Sequence, residues 1–106
     1  MIKIVESILV RSLDLHPDTW VALDFVPATA TLETSETWDE NGRSEVLTLN
    51  ATVPRKDAVL EDNLCVRVYW SNGGYRDIGT EDFPVRFEIE ETDVIRISVE
   101  WRCPVL

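Results

Sequence analysis

The chain has few of the residue types on which most enzyme and metal sites depend. Its 106 residues include one histidine, two cysteines, and 10 lysines and arginines against 20 acidic residues. A structural zinc site needs four nitrogen or sulfur ligands at compact spacing, and small secreted scaffolds use many more cysteines as cross-links. The formal net charge of −10 repels a phosphate backbone. These shortages argue against a metal centre, a disulfide scaffold and nucleic-acid binding.

The amino terminus and the cysteines predict a cytoplasmic protein. Residues 1–10 are apolar but are interrupted by Glu6, and they lack a small-residue cleavage site, so neither a signal peptide nor a membrane span is expected. Cys65 and Cys103 fit a reducing compartment and are expected to be small buried hydrophobes. The two cysteines could form a disulfide if their strands are neighbours. The length suits a single β domain over residues 1–106.

The clearest pattern in the sequence is an alternation of apolar and mostly charged residues from Phe83 to Cys103. Period-2 alternation is typical of strands with one face on a core and the other in water. The alternation is interrupted at Glu90–Asp93, which has the composition of a turn. The segment is therefore predicted to form a half-buried antiparallel hairpin.

A second hairpin is predicted around a four-residue turn at Asp39–Gly42. In that register Leu32 lies opposite Leu49 and Ala28 lies opposite Val53, so the apolar positions agree along both strands. Nearer the turn the sequence is almost entirely polar, with little to bury. That half of the hairpin is expected to project from the body of the protein.

A third hairpin is predicted at Ser71–Gly74, where an Asn-Gly pair marks the turn. A two-residue turn would place Asp77 beside Val68 on the apolar face, whereas a three-residue turn with a bulge places Ile78 there. The bulged turn is preferred. Residues 1–10 and 20–26 supply two further strands, and residues 54–63 can hold a short helix. The fold class predicted is all-β, an antiparallel sandwich or barrel of about seven strands with long hairpins.

No residue stands out as catalytic, cofactor-binding or metal-binding. His16 precedes a proline and is expected in a loop, and the paired acids of the chain fall at turn positions or on neighbouring residues of a strand. The sequence also lacks the strained glycine elbow of a nucleophile and the glycine-rich loop of a phosphate site. The chain is therefore not expected to be an enzyme or to need a cofactor.

Aromatic residues beside the predicted turns are the best interface candidates. Trp38 and Trp70 each precede a turn, and they are grouped here with Glu40, Asn41 and Tyr75 as a candidate interface. Tryptophan is common in interface hot spots, but it also covers the rims of sheet cores, and packing remains the alternative for both residues. A competing hypothesis is a monomeric sandwich that binds a carbohydrate or small ligand through Trp38, Trp70 and Tyr75.

The segment Gly74–Phe87 resembles parts of small structural proteins encoded by phages and prophages. The resemblance implies a component of the tail or neck of a phage-like particle, where small β-domains pack into rings through hairpin arms, and it carries no functional residue over. With the free sheet edges expected of such a fold, it predicts an assembly module that self-associates or docks onto a protein partner. Nucleic acid and membranes are not expected as partners.

Overall fold

The computed structural model describes residues 1–105. Its elements are eight strands and one short turn of 3-10 helix. They are β1 (Ile2–Ser12), β2 (Val21–Ala22), β3 (Thr31–Asp39), β4 (Gly42–Val53), the 3-10 turn (Ala58–Glu61), β5 (Leu64–Trp70), β6 (Tyr75–Ile78), β7 (Glu88–Glu91) and β8 (Ile95–Pro104). Every strand pair is antiparallel. The all-β prediction is confirmed, with one strand more than the seven or so expected.

The strands form one open sheet that folds over at β1. Their order is β6-β5-β1-β3-β4-β8-β7, with β2 attached to β1. Residues 2–4 of β1 pair with β3, whereas Val5 and Ser7–Ser12 pair with β5, and the register shifts between Val5 and Ser7. A bulge of this kind bends a strand. Because of the bend, one half of the sheet covers the other.

The core lies between these two halves. Both halves contribute fully buried side chains, among them Leu32, Leu47 and Leu49 from one half and Ile8, Val66, Val68 and Ile78 from the other. An ion pair between Arg76 of β6 and Glu45 of β4 joins the halves at one side. Both halves of the sheet thus share one core.

The register predicted for the hairpin around Asp39–Gly42 is confirmed within the strands. Leu32 lies opposite Leu49, and Asp39 lies opposite Gly42. The predicted pair of Ala28 with Val53 is wrong, because Ala28 sits in a turn with a positive φ of 68° before β3 begins. The Thr29 hydroxyl donates to the Val26 carbonyl at 2.6 Å and stabilises that turn.

The β5–β6 hairpin has the predicted three-residue loop but a different register. Trp70 donates its N–H to the Gly74 carbonyl at 3.0 Å, and this bond closes the loop with Gly73 at a φ of 86°. Ile78 consequently lies opposite Val66 and not opposite Val68 as predicted. The error is two residues, so Ile78 still points to the buried face.

The hairpin predicted over Phe83–Cys103 is confirmed over a shorter range, as β7–β8. Ile89 lies opposite Ile97, but β7 begins at Glu88, and Phe83 is 72% exposed. The reason is that Val85 pairs with Leu64 through two backbone hydrogen bonds of 2.8 and 3.0 Å, so this stretch crosses between the sheet halves.

Two other predictions change at their boundaries. The strand expected over residues 20–26 is regular at Val21 and Ala22 alone, although Leu23 beyond it is buried. The short helix expected within residues 54–63 is confirmed as the 3-10 turn, which Asp57 caps by accepting from the Val59 N–H. The described residues include no helix long and apolar enough to cross a membrane.

Candidate assembly surface

Three strands continue together past the point where β3 leaves the amino-terminal segment. Thr34 is the last residue of β3 bonded to that segment, through two hydrogen bonds with Met1, but β3 and β4 continue to their turn. β8 accompanies β4 over this stretch, with Trp101 opposite Leu47 and Pro104 opposite Ser44. We call residues 35–39 of β3, 42–47 of β4 and 99–104 of β8 the arm. The expectation that this half of the hairpin has little to bury holds for β3 but is wrong for β4. Ser44, Val46 and Leu47 are buried, and Glu45 forms an ion pair with Arg76 of β6.

Both outer strands of the arm have an open side. β7 pairs with β8 from Ile95 to Ser98, where Glu88 is the last partner, and the preceding Phe87 is buried in the core. Within residues 1–105, no strand pairs with the open side of Val99–Cys103, which we call the β8 edge. An open strand side presents unpaired N–H and C=O groups. Pro104 has no N–H and ends this edge.

The side chains of the β8 edge alternate between the two faces of the sheet. Val99 is buried and Trp101 and Cys103 are half-buried on the inward face, whereas Glu100 and Arg102 are exposed on the outward face. Arg102 lies 3.8 Å from the Asp39 carboxylate, at the outer limit of an ion pair between exposed groups. Such contacts contribute little, so the Arg102 side chain is available for another partner.

The tip of the arm carries three of the predicted interface residues. Trp38 is 74% exposed, and Glu40 and Asn41 of the turn are also exposed. The Arg43 guanidinium lies 5.9 Å from the centre of the Trp38 ring and 3.8 Å from Glu36, so polar groups flank the indole. The packing alternative is therefore wrong for Trp38.

The other two predicted residues, Trp70 and Tyr75, lie elsewhere. Trp70 is half-buried against the core, and the Lys3 ammonium sits 3.8 Å from its ring centre. Tyr75 pairs with Tyr69, with 5.4 Å between their ring centres, on the opposite face of the β5–β6 hairpin from Trp70. The five candidates therefore do not form one surface, and the aromatic platform of the ligand-binding hypothesis is not assembled from them.

A cluster of arginine and aromatic side chains on the outward face of β5 and β6 escaped the sequence reasoning. The Arg67 guanidinium lies 4.9 Å from the Trp20 ring centre and 5.0 Å from that of Tyr75. It donates to both Asp77 carboxylate oxygens at 2.6 and 3.0 Å, and these bonds raise the pKa of Arg67. Arg67 and Asp77 face each other across β5 and β6, which a correct hairpin register would have revealed.

Arg11 ties two loops to the sheet beside this cluster. It donates to the Pro17 carbonyl at 2.6 Å and to Glu81 at 2.8 Å, and the bond to Glu81 raises the pKa of Arg11. It also donates to the Cys65 sulfur at 3.6 Å, but burial dominates there and raises the pKa of the Cys65 thiol. Glu81 is 70 residues away in the sequence, and Pro17 lies in an irregular loop, so no periodic pattern signals either contact.

The cysteines and the histidine do not form a reactive site in the described part of the chain. Cys65 is buried in β5 and Cys103 is half-buried in β8, both as free thiols, and these strands are not neighbours. The disulfide that the sequence allows therefore does not form. His16 is exposed in a loop, as predicted. Among residues 1–105, no group of three or more histidine, cysteine or acidic side chains is placed to hold a metal ion.

No protein-family model matches the chain, and no curated protein and no solved structure is significantly similar to it.

Proposed function

We propose that the chain is a non-enzymatic assembly module that associates with copies of itself or docks onto a protein partner through the arm. The observation that carries the proposal is that both outer strands of the arm have an open side in residues 1–105. An open strand recruits an extended segment through main-chain hydrogen bonds, and its alternate side chains give specificity.

The other edges of the sheet are poorer templates. β6 and β7 each have four residues, and three of the four in β7 are glutamates. Short strands and charged side chains are the usual devices that protect an edge from pairing. The arm lacks this protection along Val99–Cys103, where one acidic and one basic residue stand among apolar ones.

The resemblance of Gly74–Phe87 to phage structural proteins supports a place for this module in the tail or neck of a phage-like particle. Ring components of that kind associate through hairpin arms, and the arm ends in an exposed hairpin turn flanked by Trp38. The net charge of −10 would keep such a ring from trapping DNA that passes through it.

The direct test is the absolute mass in solution by light scattering, over a wide concentration range and at two salt concentrations. The proposal predicts dimers or larger species whose fraction rises with protein concentration. Higher salt screens the repulsion between acidic copies. The associated fraction at a given protein concentration should therefore be larger at the higher salt concentration. A strict monomer under every condition would remove self-association and leave docking to a different protein as the form of the proposal to pursue.

A second candidate function is ligand binding by a monomer. The observation in its favour is that Trp20 and Tyr75 flank Arg67 on one outward face, with Tyr75 54% exposed. Aromatic rings of this kind can stack on a sugar. A monomeric mass together with quenching of tryptophan fluorescence by an oligosaccharide, lost in Tyr75→Ala, would favour this function over assembly.

A further inference from the structure

We infer that the tip of the arm of one copy inserts Trp38 into a cavity beside the bulge of β1 in the next copy. The inference rests on the proposed function and names the surface to which the tip binds in self-association. Because the tip and the cavity are different parts of the chain, the contact repeats head to tail from copy to copy. A contact of this kind closes into a ring or extends into a filament.

The cavity, which we call the β1 cavity, exists because the chain between β2 and β3 leaves the side of β1. β1 pairs with β3 near its start and with β2 further along. Residues 24–29 are not paired with β1, and the Val26 N–H donates instead to the Thr52 carbonyl of β4 at 2.7 Å. The β1 cavity has a volume of about 420 Å³. Pockets of about 300–1,000 Å³ hold whole small-molecule ligands, so it has room for one indole ring.

Apolar side chains form most of the lining of the β1 cavity. Val5 and Leu23 are buried, Phe25 is half-buried, and Pro27 and Ala28 are exposed. Ala28 has a φ of 68°, which residues other than glycine rarely adopt. An indole that enters the cavity exchanges contacts with water for contacts with aliphatic and aromatic carbon, and burial of this kind is the main source of affinity in protein association.

Two carboxylates, those of Glu6 and Asp24, flank the apolar lining. Both residues are exposed, and neither forms an ion pair within residues 1–105. The tip supplies the complementary charge, because Arg43 is the cross-strand partner of Trp38 and its guanidinium lies 5.9 Å from the centre of the indole. Paired residues project from the same face of a sheet. Arg43 therefore faces the two carboxylates when the indole enters the cavity.

The acid nearest to Arg43 leaves it free for this contact. Glu36 lies 3.8 Å from the Arg43 guanidinium, at the outer limit of an ion pair, and pairs between exposed groups contribute little. Glu36 is also two residues further from the turn than Trp38. It therefore lies about 7 Å behind the indole along the strand, outside the cavity.

Three other cavities of the protein match the tip less well. Each has a basic side chain in its lining, namely Arg96, Lys3 or Arg86. The β1 cavity has two acids in its lining and, among residues 1–105, no basic side chain. Like charges brought together across an interface reduce affinity. The charge of Arg43 thus selects the β1 cavity among the four.

The positions of the tip and the β1 cavity make this a contact between copies. Ala28 of the cavity lies three residues before β3 begins, whereas Trp38 is the last residue but one of β3. A strand of nine residues spans about 30 Å, so the indole does not reach the cavity of its own chain. Each copy has one tip and one cavity to offer.

Separate variants of the tip and of the cavity test the inference. Trp38→Ala removes the indole and leaves the cavity intact, and it should weaken association at least about thirtyfold in Kd. The double variant Glu6→Arg/Asp24→Arg reverses the charge of the cavity and leaves the tip intact, and it should weaken association at least about tenfold. All three residues are exposed, so circular dichroism should show an unchanged fold.

Matched controls make the same changes elsewhere on the surface. Phe83→Ala removes an aromatic ring that is 72% exposed and lies outside the arm. Asp18→Arg/Asp82→Arg makes the same change in net charge at two exposed residues outside the arm and the cavity. Neither control should weaken association.

An equimolar mixture of Trp38→Ala with Glu6→Arg/Asp24→Arg is the sharpest form of the test. The first protein has an intact cavity and the second has an intact tip, so one complete contact forms between them. The mixture should give a one-to-one heterodimer, and nothing larger, at concentrations where each variant alone is monomeric. A symmetric contact between two tips would gain nothing from mixing.

Charge exchange tests the role of Arg43. Arg43→Glu brings a carboxylate to the two acids of the cavity and should weaken association at least about fivefold. Combining it in one chain with Glu6→Arg and Asp24→Arg restores opposite charges at every contact. The triple variant should return to within about threefold of the wild-type Kd.

Three results would overturn the inference. If the wild-type protein associates and the tip and cavity variants behave like their controls, the contact is wrong while self-association stands. If both variants weaken association but the mixture stays monomeric, the tip and the cavity do not bind each other. If the wild-type protein is monomeric at every concentration, self-association fails together with the inference, and the mass measurement alone shows this.

Discussion

Gly74 lies directly beneath the indole of Trp70, so closely that a methyl group on Gly74 would overlap the ring. The two residues also close the β5–β6 loop, through the 3.0 Å hydrogen bond from the Trp70 N–H to the Gly74 carbonyl. The glycine is therefore required for space, and the half-buried position of Trp70 depends on it.

Gly74→Ala is expected to destabilise the protein by about 1–3 kcal/mol, because the indole must leave its position against the core. Urea unfolding followed by tryptophan fluorescence measures the loss. In a Trp70→Ala background the same substitution should cost clearly less, since the overlap is gone. Equal costs in both backgrounds would contradict the steric explanation.

The core between the sheet halves gives a second prediction. Leu49 is fully buried opposite Leu32, so Leu49→Ala should lower the free energy of unfolding by about 2–5 kcal/mol. The control is Ile2→Ala, at a side chain that is 65% exposed, with an expected change within about 0.5 kcal/mol. Similar losses for the two variants in urea unfolding would argue against this core.

Trp38 separates stability from association. Because it is 74% exposed, Trp38→Ala should change the free energy of unfolding by less than about 0.5 kcal/mol. It should nevertheless weaken binding of a protein partner that covers the tip of the arm. A pull-down with that partner, or light scattering of the mixture, measures the loss. Phe83→Ala is the matched control, since Phe83 is 72% exposed but lies outside the arm. Equal effects of the two substitutions on association would remove the tip from the interface.

Cys65 makes stability depend on pH in the alkaline range. Burial raises the pKa of its thiol in the folded state, so the unfolded chain ionises first as the pH rises above about 8.5. The unfolded state then binds fewer protons than the folded state, and the free energy of unfolding falls with rising pH. Wild-type protein should lose stability between pH 8 and 10 relative to Cys65→Ala. Parallel pH profiles for the two proteins would contradict this.

The sequence predicted those strands that bury one face and pair with a strand adjacent in the sequence. The Leu32–Leu49 register followed from side-chain alternation together with the Asp39–Gly42 turn, because a slip of one residue would expose the whole apolar set. The same reasoning identified Trp38, Glu40 and Asn41 at an exposed tip. It erred by two residues at Ile78, because a shift of two keeps every side chain on its face.

What the sequence did not predict depends on contacts between distant segments. Val85 leaves its expected hairpin because it pairs with Leu64. The open β8 edge is of the same kind. It exists because β7 begins as late as Glu88, and alternation alone extended that strand to Phe83.

The measurement that tests assembly through the arm most directly is backbone hydrogen exchange at increasing protein concentration. In dilute solution, the amides of Val99–Cys103 that point away from β4 have no partner in residues 1–105 and should exchange rapidly. As the concentration passes through the range of association, amides of the arm, including that of Trp38 at its tip, should become protected, while those of β7 keep their rates. Unchanged exchange along the whole arm at concentrations where the protein is associated would contradict the account.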